Sequence, residues 1–189
     1  MDKIIVCVTG ASGAIYAKRF LEVLKEKNIK TSLIISESAK KIVEHELKIE
    51  LNEIISLADE YYENNNFFSP VASGSNSFQA AVVIPCSMKT LAAISNGYSD
   101  NLIGRVCDIA LKEHRKLILV PREMPFSSIH LENMLKLSRL GVSIMPPIPG
   151  FYNEPKTVDD IVNFVVGRIL DNLGIENNLF KRWKTNESK

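Results

Sequence analysis

The sequence predicts an α/β fold: a doubly wound parallel sheet, Rossmann-like or flavodoxin-like, in three layers ordered α/β/α. Three observations predict it. Short β-branched runs alternate along the chain with longer stretches of helical periodicity. The runs are apolar almost throughout, as strands covered on both faces are. Each leads through small, polar or glycine- and proline-containing residues toward a helix, the order expected of right-handed crossovers between parallel strands.

The first strand spans Lys3–Thr9, and Gly10-Ala11-Ser12-Gly13 turns it into a helix over Gly13–Lys27. Thr31–Ile35 is the second strand, with a helix over Ser38–Leu47 behind it. Tyr61–Phe78 is the least regular stretch; its Asn64-Asn65-Asn66 and Ala72-Ser73-Gly74-Ser75 runs predict a long mobile connection of the kind that forms lids. A strand at Ala80–Ile84 then leads to a helix over Ser87–Asn96 with Ser87 placed as its N-cap, and to a second helix over Leu102–His114. Leu117–Val120 and Val142–Met145 complete the strands, separated by a helix over Ser128–Leu140. The last helix, Thr157–Leu173, has the clearest ends: Thr157 and Asp160 form a T-x-x-D cap, and Gly174 is the stop. From about residue 175 an extended arm carries the single tryptophan, Trp183. No internal repeat divides the chain, and residues 1–189 are expected to form one domain.

Composition narrows the function. With 46% hydrophobic residues, 24% charged residues and a formal charge of +1, there is no basic field to attract nucleic acid or an anionic membrane. Any anion must be held in a local pocket. Cys7, Cys86 and Cys107 are odd in number and far apart, which predicts neither a disulfide framework nor a zinc site and fits a reducing cytoplasm. His45, His114 and His130 have no metal-ligand spacing, and no aspartate-rich magnesium box occurs, so no metal is expected. The apolar run Ile4–Val8 is too short for a signal or membrane segment.

Ligands of open parallel sheets bind beyond the carboxyl ends of the strands. The residues there are Gly10-Ala11-Ser12-Gly13, Ser36, Pro85-Cys86-Ser87-Met88-Lys89-Thr90, Pro121-Arg122-Glu123 and Pro146 through Tyr152. After the first strand, glycines let the backbone approach an anion, and the following helix is expected to aim free amides and its positive end at a phosphate. The G-x-x-G spacing lacks the full dinucleotide fingerprint, so a nicotinamide site is not implied. Glu46 and Arg168 fall within or beside apolar helical stripes, where a charge must be paired or used. Arg105, Asp108 and Lys112 share one side of a helix; from spacing alone they form a solvated face with an Asp108–Lys112 pair.

Six motifs in order resemble one family, the flavin prenyltransferases of UbiX/Pad type. They are Gly10 through Tyr16, Pro85 through Thr90, Leu111-Lys112-Glu113, Val120 through Pro125 followed by His130-Leu131, Pro149-Gly150-Phe151-Tyr152, and Arg168 with Arg182-Trp183. The resemblance implies that Gly10, Ala11, Ser12, Ser36, Ser87, Met88, Lys89, Thr90 and Arg122 hold FMN. It implies that Tyr152 and Arg168, with Lys112 and Arg105, hold the phosphate of dimethylallyl monophosphate. Ser12, Glu46, Glu123 and Lys112 are then the catalytic candidates. The implied reaction joins N5 and C6 of reduced FMN to the allyl group without a metal, and delivers prenylated FMN to a UbiD-type decarboxylase. The family commonly forms dodecamers with sites between subunits, so Arg105 is expected to serve a neighbour. Two alternatives stay open on the residues: an FMN-dependent decarboxylase of the phosphopantothenoylcysteine type, which relies on an early histidine absent before His45, and a non-catalytic flavin-binding protein.

Overall fold

Ile4–Val8 is apolar at every position and buried at every position, because successive side chains point to opposite faces of a sheet that is covered on both. Ile4, Val6 and Val8 enter one core, and Ile5 and Cys7 the other. The computed structural model describes residues 3–183. It shows six parallel strands: β1 Ile4–Val8, β2 Thr31–Ile35, β3 Glu60–Glu63, β4 Ala80–Cys86, β5 Lys116–Pro121 and β6 Ser143–Ile144. Their order in the sheet is β3-β2-β1-β4-β5-β6, the doubly wound order with its switch between β1 and β4.

The helices are α1 Ala14–Glu26, α2 Glu37–Leu47, α3 Leu51–Ile55, α4 Met88–Ser95, α5 Leu102–Lys112, α6 Ser128–Arg139 and α7 Val158–Asn172. The apolar faces of α1 and α7 share one core with the sheet, while α4, α5 and α6 share the core on the opposite face. This is the expected α/β/α sandwich. The capping expectations also hold: Ser87 Oγ accepts from the Thr90 amide, Thr157 and Asp160 form a reciprocal capping box, and Gly174 stops α7 at a positive φ of 74°.

Two elements depart from the sequence reading. α3 was not expected, and β3 opens a stretch read as irregular. β3 is Glu-Tyr-Tyr-Glu, acidic and only half-buried, so it lacks the apolar signature of its neighbours. Ser32 Oγ on the adjacent β2 and Lys3 Nζ just before β1, each 2.7 Å from Glu60 Oε2, hold its first carboxylate.

The remainder of Tyr61–Phe78 is pinned, which corrects the expectation of a mobile lid. Leu102 N donates to Asn64 O at 2.8 Å, Arg105 Nε to Ala72 O at 3.2 Å, and Arg115 to the Gly74 and Asn76 carbonyls at 2.6 and 2.9 Å. Val71 and Phe78 are buried in the core, with the Arg115 guanidinium 4.4 Å above the Phe78 ring. The segment is irregular in backbone but satisfied by partners distant in sequence.

Candidate functional site

At the switch point, the ends of β1 and β4 are joined by one side chain. Thr9 Oγ1 donates to Pro85 O and accepts from Ser87 N, each at 2.8 Å, and Thr9 is buried. This fixes the spacing of the two strand ends and leaves a cleft between the loops that follow them. Gly10, Ser36, Ser87, Lys89 and Thr90 line it, as the strand-end rule predicts, together with Ser38, Asn64, Tyr98 and Asn101. Ser87 Oγ and Thr90 Oγ1 are 3.0 Å apart, and Ser36 Oγ lies 3.3 Å from Ser38 Oγ. Gly10 has to be glycine here: a side chain at that position would run into Ser38 Oγ. Hydroxyls, amide side chains, one lysine and the Asp100 carboxylate surround an apolar floor of Ala93, Ile94 and Ile103, which offers a flavin nucleotide an apolar surface for its flat ring and hydrogen-bonding groups for its polar tail.

Thr9 and Ser38 were missed from the sequence. Each had a signal: Thr9 is the last residue before the glycine turn, and Ser38 stands two residues after a strand-end serine. Asn64 and Asn101 had none, because they reach the cleft only through the packing of the 61–78 segment on the start of α5.

The turn after β1 differs from expectation. The amides of Gly13 and Ala14, at the positive end of α1, both donate to Glu46 Oε2 at 2.9 Å. Those amides are therefore occupied by a carboxylate of the same chain, not open to a phosphate. Glu46 is not embedded in an apolar stripe either; it is exposed near the end of α2 and reaches across to α1. Desolvation is the largest influence on its carboxyl and raises its pKa. Hydrogen bonds from Ser12, Gly13 and Ala14, with the charge of Arg122, outweigh it and hold Glu46 below the usual carboxylate range. Ser12, Glu46 and Arg122 thus form one polar group at the turn. Arg122 is tied to the end of β4 by its amide, 3.2 Å from Cys86 O. Glu123 is exposed and accepts from the Met124 amide at 3.0 Å. A larger groove of about 530 Å³ touches Glu46 on the side of α1 and α7, but its walls of Lys18, Arg19, Glu22 and Asp159 contain no strand end and no glycine turn.

Tyr152 and Arg168 belong to a different cluster. The Tyr152 ring meets Phe164 edge-on at 5.8 Å and Trp183 at 5.4 Å, and Phe164 lines a small hollow with Arg168, Met145 and Pro146. Arg168 is exposed rather than part of the apolar face, and its Nη1 lies 3.2 Å from Asp171 Oδ2. Of the remaining two candidates, Arg105 follows Gly104 at the edge of the cleft but turns its side chain to Ala72 O, and Lys112 lies apart. Arg105 pairs with Asp108 at 3.1 Å and Lys112 with Glu113 at 2.8 Å, in place of the expected Asp108–Lys112 pair. The start of α5 reaches the cleft at Gly104, whereas Lys112 ends the helix about 12 Å further along its axis, next to where β5 begins.

The three cysteines are buried and free, and burial pushes the thiols of Cys7 and Cys86 well above their ordinary value and that of Cys107 to about 12. Among the described residues no cluster of His, Cys, Asp or Glu is arranged to hold a metal, and no helix is long and apolar enough to cross a membrane.

Residues 1–170 match a family model described as Flavoprotein. The flavin prenyltransferase UbiX of Methanocaldococcus jannaschii is 72% identical over 97% of this chain and 99% of its own length. Among solved structures, AnUbiX (PadA1) in complex with FMN and dimethylallyl pyrophosphate superposes with a TM-score of 0.96 at 41% identity, covering 98% of this chain and 99% of that one. The dodecameric FMN-dependent UbiX-like decarboxylase of Escherichia coli O157:H7 does so with a TM-score of 0.94 at 50% identity, covering 96% and 99%.

Proposed function

Because the chain belongs to the UbiX-type flavin prenyltransferases, we propose that its strand-end cleft seats reduced FMN and that Tyr152 and Arg168 hold the phosphate of the dimethylallyl donor. The enzyme is a metal-independent transferase that makes prenylated FMN. FMN supplies the two nucleophilic positions, N5 and C6, to which the five-carbon group becomes attached. The meeting of the Thr9, Ser36, Ser87 and Thr90 hydroxyls at the β1–β4 switch carries the assignment of the flavin seat.

In this reading Gly10, Ala11 and Ser12 pass close to the flavin through a turn whose geometry Glu46 fixes. Ser36, Ser87, Met88, Lys89, Thr90 and Arg122 bind its ring edge, ribityl chain and phosphate. Since Glu46 holds the Gly13 and Ala14 amides, side-chain hydroxyls and cations take the larger part in binding the FMN phosphate. Glu46, held ionised at neutral pH by its lowered pKa, accepts a hydrogen bond from Ser12 and so orients that hydroxyl at the turn beside the flavin. Glu123 is a proton-handling group at the mouth.

Loss of phosphate from an allyl carbon builds negative charge on the departing oxygens. Fixed cations and a phenol act where that charge accumulates, which is the part assigned to Arg168, Tyr152 and Lys112. Lys112 lies too far along α5 to reach the cleft of its own chain, and Arg105, although next to Gly104, turns its side chain to Ala72 O and Asp108; both serve the site of a neighbouring subunit in a dodecamer. The donor is the monophosphate in this reading, although the AnUbiX complex carries the pyrophosphate. The product passes to a UbiD-type decarboxylase, and the enzyme works in the cytoplasm.

The test combines purified protein, reduced FMN and dimethylallyl monophosphate or diphosphate without oxygen, and weighs the flavin released. A flavin heavier by one C5H8 unit is expected with the monophosphate. Unchanged flavin mass with both donors, in protein shown to bind FMN, overturns the reading.

A further inference from the structure

Asp171, in the last turn of α7, accepts hydrogen bonds from two arginines. Arg182 reaches it with both terminal nitrogens, Nη1 to Oδ2 at 3.0 Å and Nη2 to Oδ1 at 2.7 Å. Arg168, one turn earlier on the same helix, reaches only Oδ2, at 3.2 Å. The buried Asn177 amide donates to Oδ1 at 3.0 Å and steadies the carboxylate. The Asp171 side chain is 19% exposed, against 41% for Arg182 and 54% for Arg168. One negative charge is thus shared by two cations, and the better-formed pair belongs to the C-terminal arm.

A guanidinium facing a carboxylate through two bonds is the strong arrangement, whereas a single shared bond from a half-exposed side chain contributes little. Were Arg182 absent, both oxygens of Asp171 would be open to Arg168 three residues away, a spacing that favours pairing on a helix. Arg182 is the leading cause that holds the Asp171 carboxyl below its ordinary value, ahead of Arg168.

The arm that carries Arg182 is itself fixed to α7. Phe180 packs over Gly167, where a Cβ would lie 2.6 Å from its ring, and stacks edge-on against Phe164 at 5.1 Å. The Arg182 guanidinium sits 5.2 Å from the Phe180 ring, and Trp183 meets Tyr152. The same short segment therefore places Arg182 on Asp171 and orders the Tyr152 phenol.

Resting on the assignment of Arg168 to the donor phosphate, we propose that Arg182 and Asp171 are positioning residues: Arg182 occupies Asp171, which leaves the Arg168 guanidinium available to the phosphate of the allyl donor. The arm is then part of the donor site through its counter-ion and not only through packing.

Steady-state kinetics of the full chain at saturating reduced FMN, with dimethylallyl monophosphate varied, test this. Arg182→Gln is expected to raise KM for the donor by about 10-fold or more as Asp171 captures Arg168, with kcat within about 3-fold and FMN affinity unchanged. Asp171→Asn keeps the acceptor for Asn177 and is expected to leave KM within about 3-fold of the parent. The double variant Asp171→Asn with Arg182→Gln is expected to recover the parental KM to the same margin. A pair that merely holds the arm predicts the opposite: Asp171→Asn as damaging as Arg182→Gln, and no recovery in the double variant. Either that pattern or an unchanged KM in Arg182→Gln overturns the proposal.

Should melting show that Arg182→Gln does not hold its fold, Arg182→Lys takes its place. An ammonium does not span both oxygens as a guanidinium does, so an intermediate rise in KM is expected and an unchanged KM overturns the proposal. Arg168→Gln separates the two levels. If it leaves KM for the donor unchanged, the assignment of Arg168 fails. If it raises KM while Arg182→Gln does not, only the role of Arg182 and Asp171 fails.

Discussion

At the scale of single residues, the site depends on groups that bridge strand ends. Thr9 is the clearest case, since its hydroxyl satisfies the Pro85 carbonyl and the Ser87 amide together while buried. Thr9→Val keeps the shape, strips the Ser87 amide of its partner and leaves the Pro85 carbonyl only the Thr9 amide at 3.2 Å. We expect a loss of about 1–3 kcal/mol in stability, the cost of leaving a buried polar group unpaired. FMN affinity should fall with it, because Ser87 and Thr90 are set by the same contact. Chemical denaturation and flavin titration check the two effects; full stability with weakened flavin binding would show that the bridge serves the ligand alone. Glu46 illustrates how a residue's role changes with its surroundings. Its sequence position suggested a charge needing a partner, and the partner is the helix terminus itself.

At the scale of elements, the junction of α7 with the arm is closely packed. Gly167→Ala would place a methyl group 2.6 Å from Phe180 and 2.9 Å from Asn177 Oδ1. Overpacking of this kind costs about 1–3 kcal/mol, read as a lower melting temperature. It should also displace Trp183 from Tyr152, and the single tryptophan makes emission a direct reporter. The same reporter follows pH. Asp171 has its pKa lowered in the folded chain, first by hydrogen bonds from Arg182, so its contribution to docking the arm is fully present above the unfolded carboxylate value of about 3.9. That contribution is lost as pH falls through the depressed folded value. Because Phe180, packed over Gly167 and against Phe164, keeps the arm seated without that charge, Trp183 emission should hold steady from neutrality to about pH 4 and shift only slightly below it. A change centred near neutrality would point to a different group.

At the scale of the whole molecule, one chain does not bring all the candidate residues together. The flavin cleft, the Tyr152–Arg168 cluster and Lys112 lie on different parts of the surface. Ile129, Leu131 and Leu135 on α6 and Phe151 after β6 are exposed, large apolar side chains of the kind an interface between subunits covers. Light scattering is expected to give a mass twelve times the 21.2 kDa of the chain. If Lys112 serves a neighbour's site, then Ser12→Ala and Lys112→Ala, each inactive alone, should regain part of the activity when co-expressed and assembled together. No recovery in confirmed mixed assemblies would place Lys112 in the site of its own chain, or in none.

The sequence by itself determined the fold class, the strand ends that carry the site and the caps of α4 and α7, because apolar periodicity and capping are local properties of neighbouring residues. It also placed Gly10, Ser36, Ser87, Lys89 and Thr90, which follow their strands directly. Only the tertiary structure decided that Glu46 closes the end of α1, that the 61–78 segment is pinned, that β3 is a strand, that Lys112 stands away from the cleft and that Arg105 is turned to Ala72. Each of these rests on a contact between residues far apart in the chain. Such contacts are set by how helices and strand ends come to lie against one another, and the one-dimensional spacing of residues does not encode the distance between two surfaces that meet only after folding.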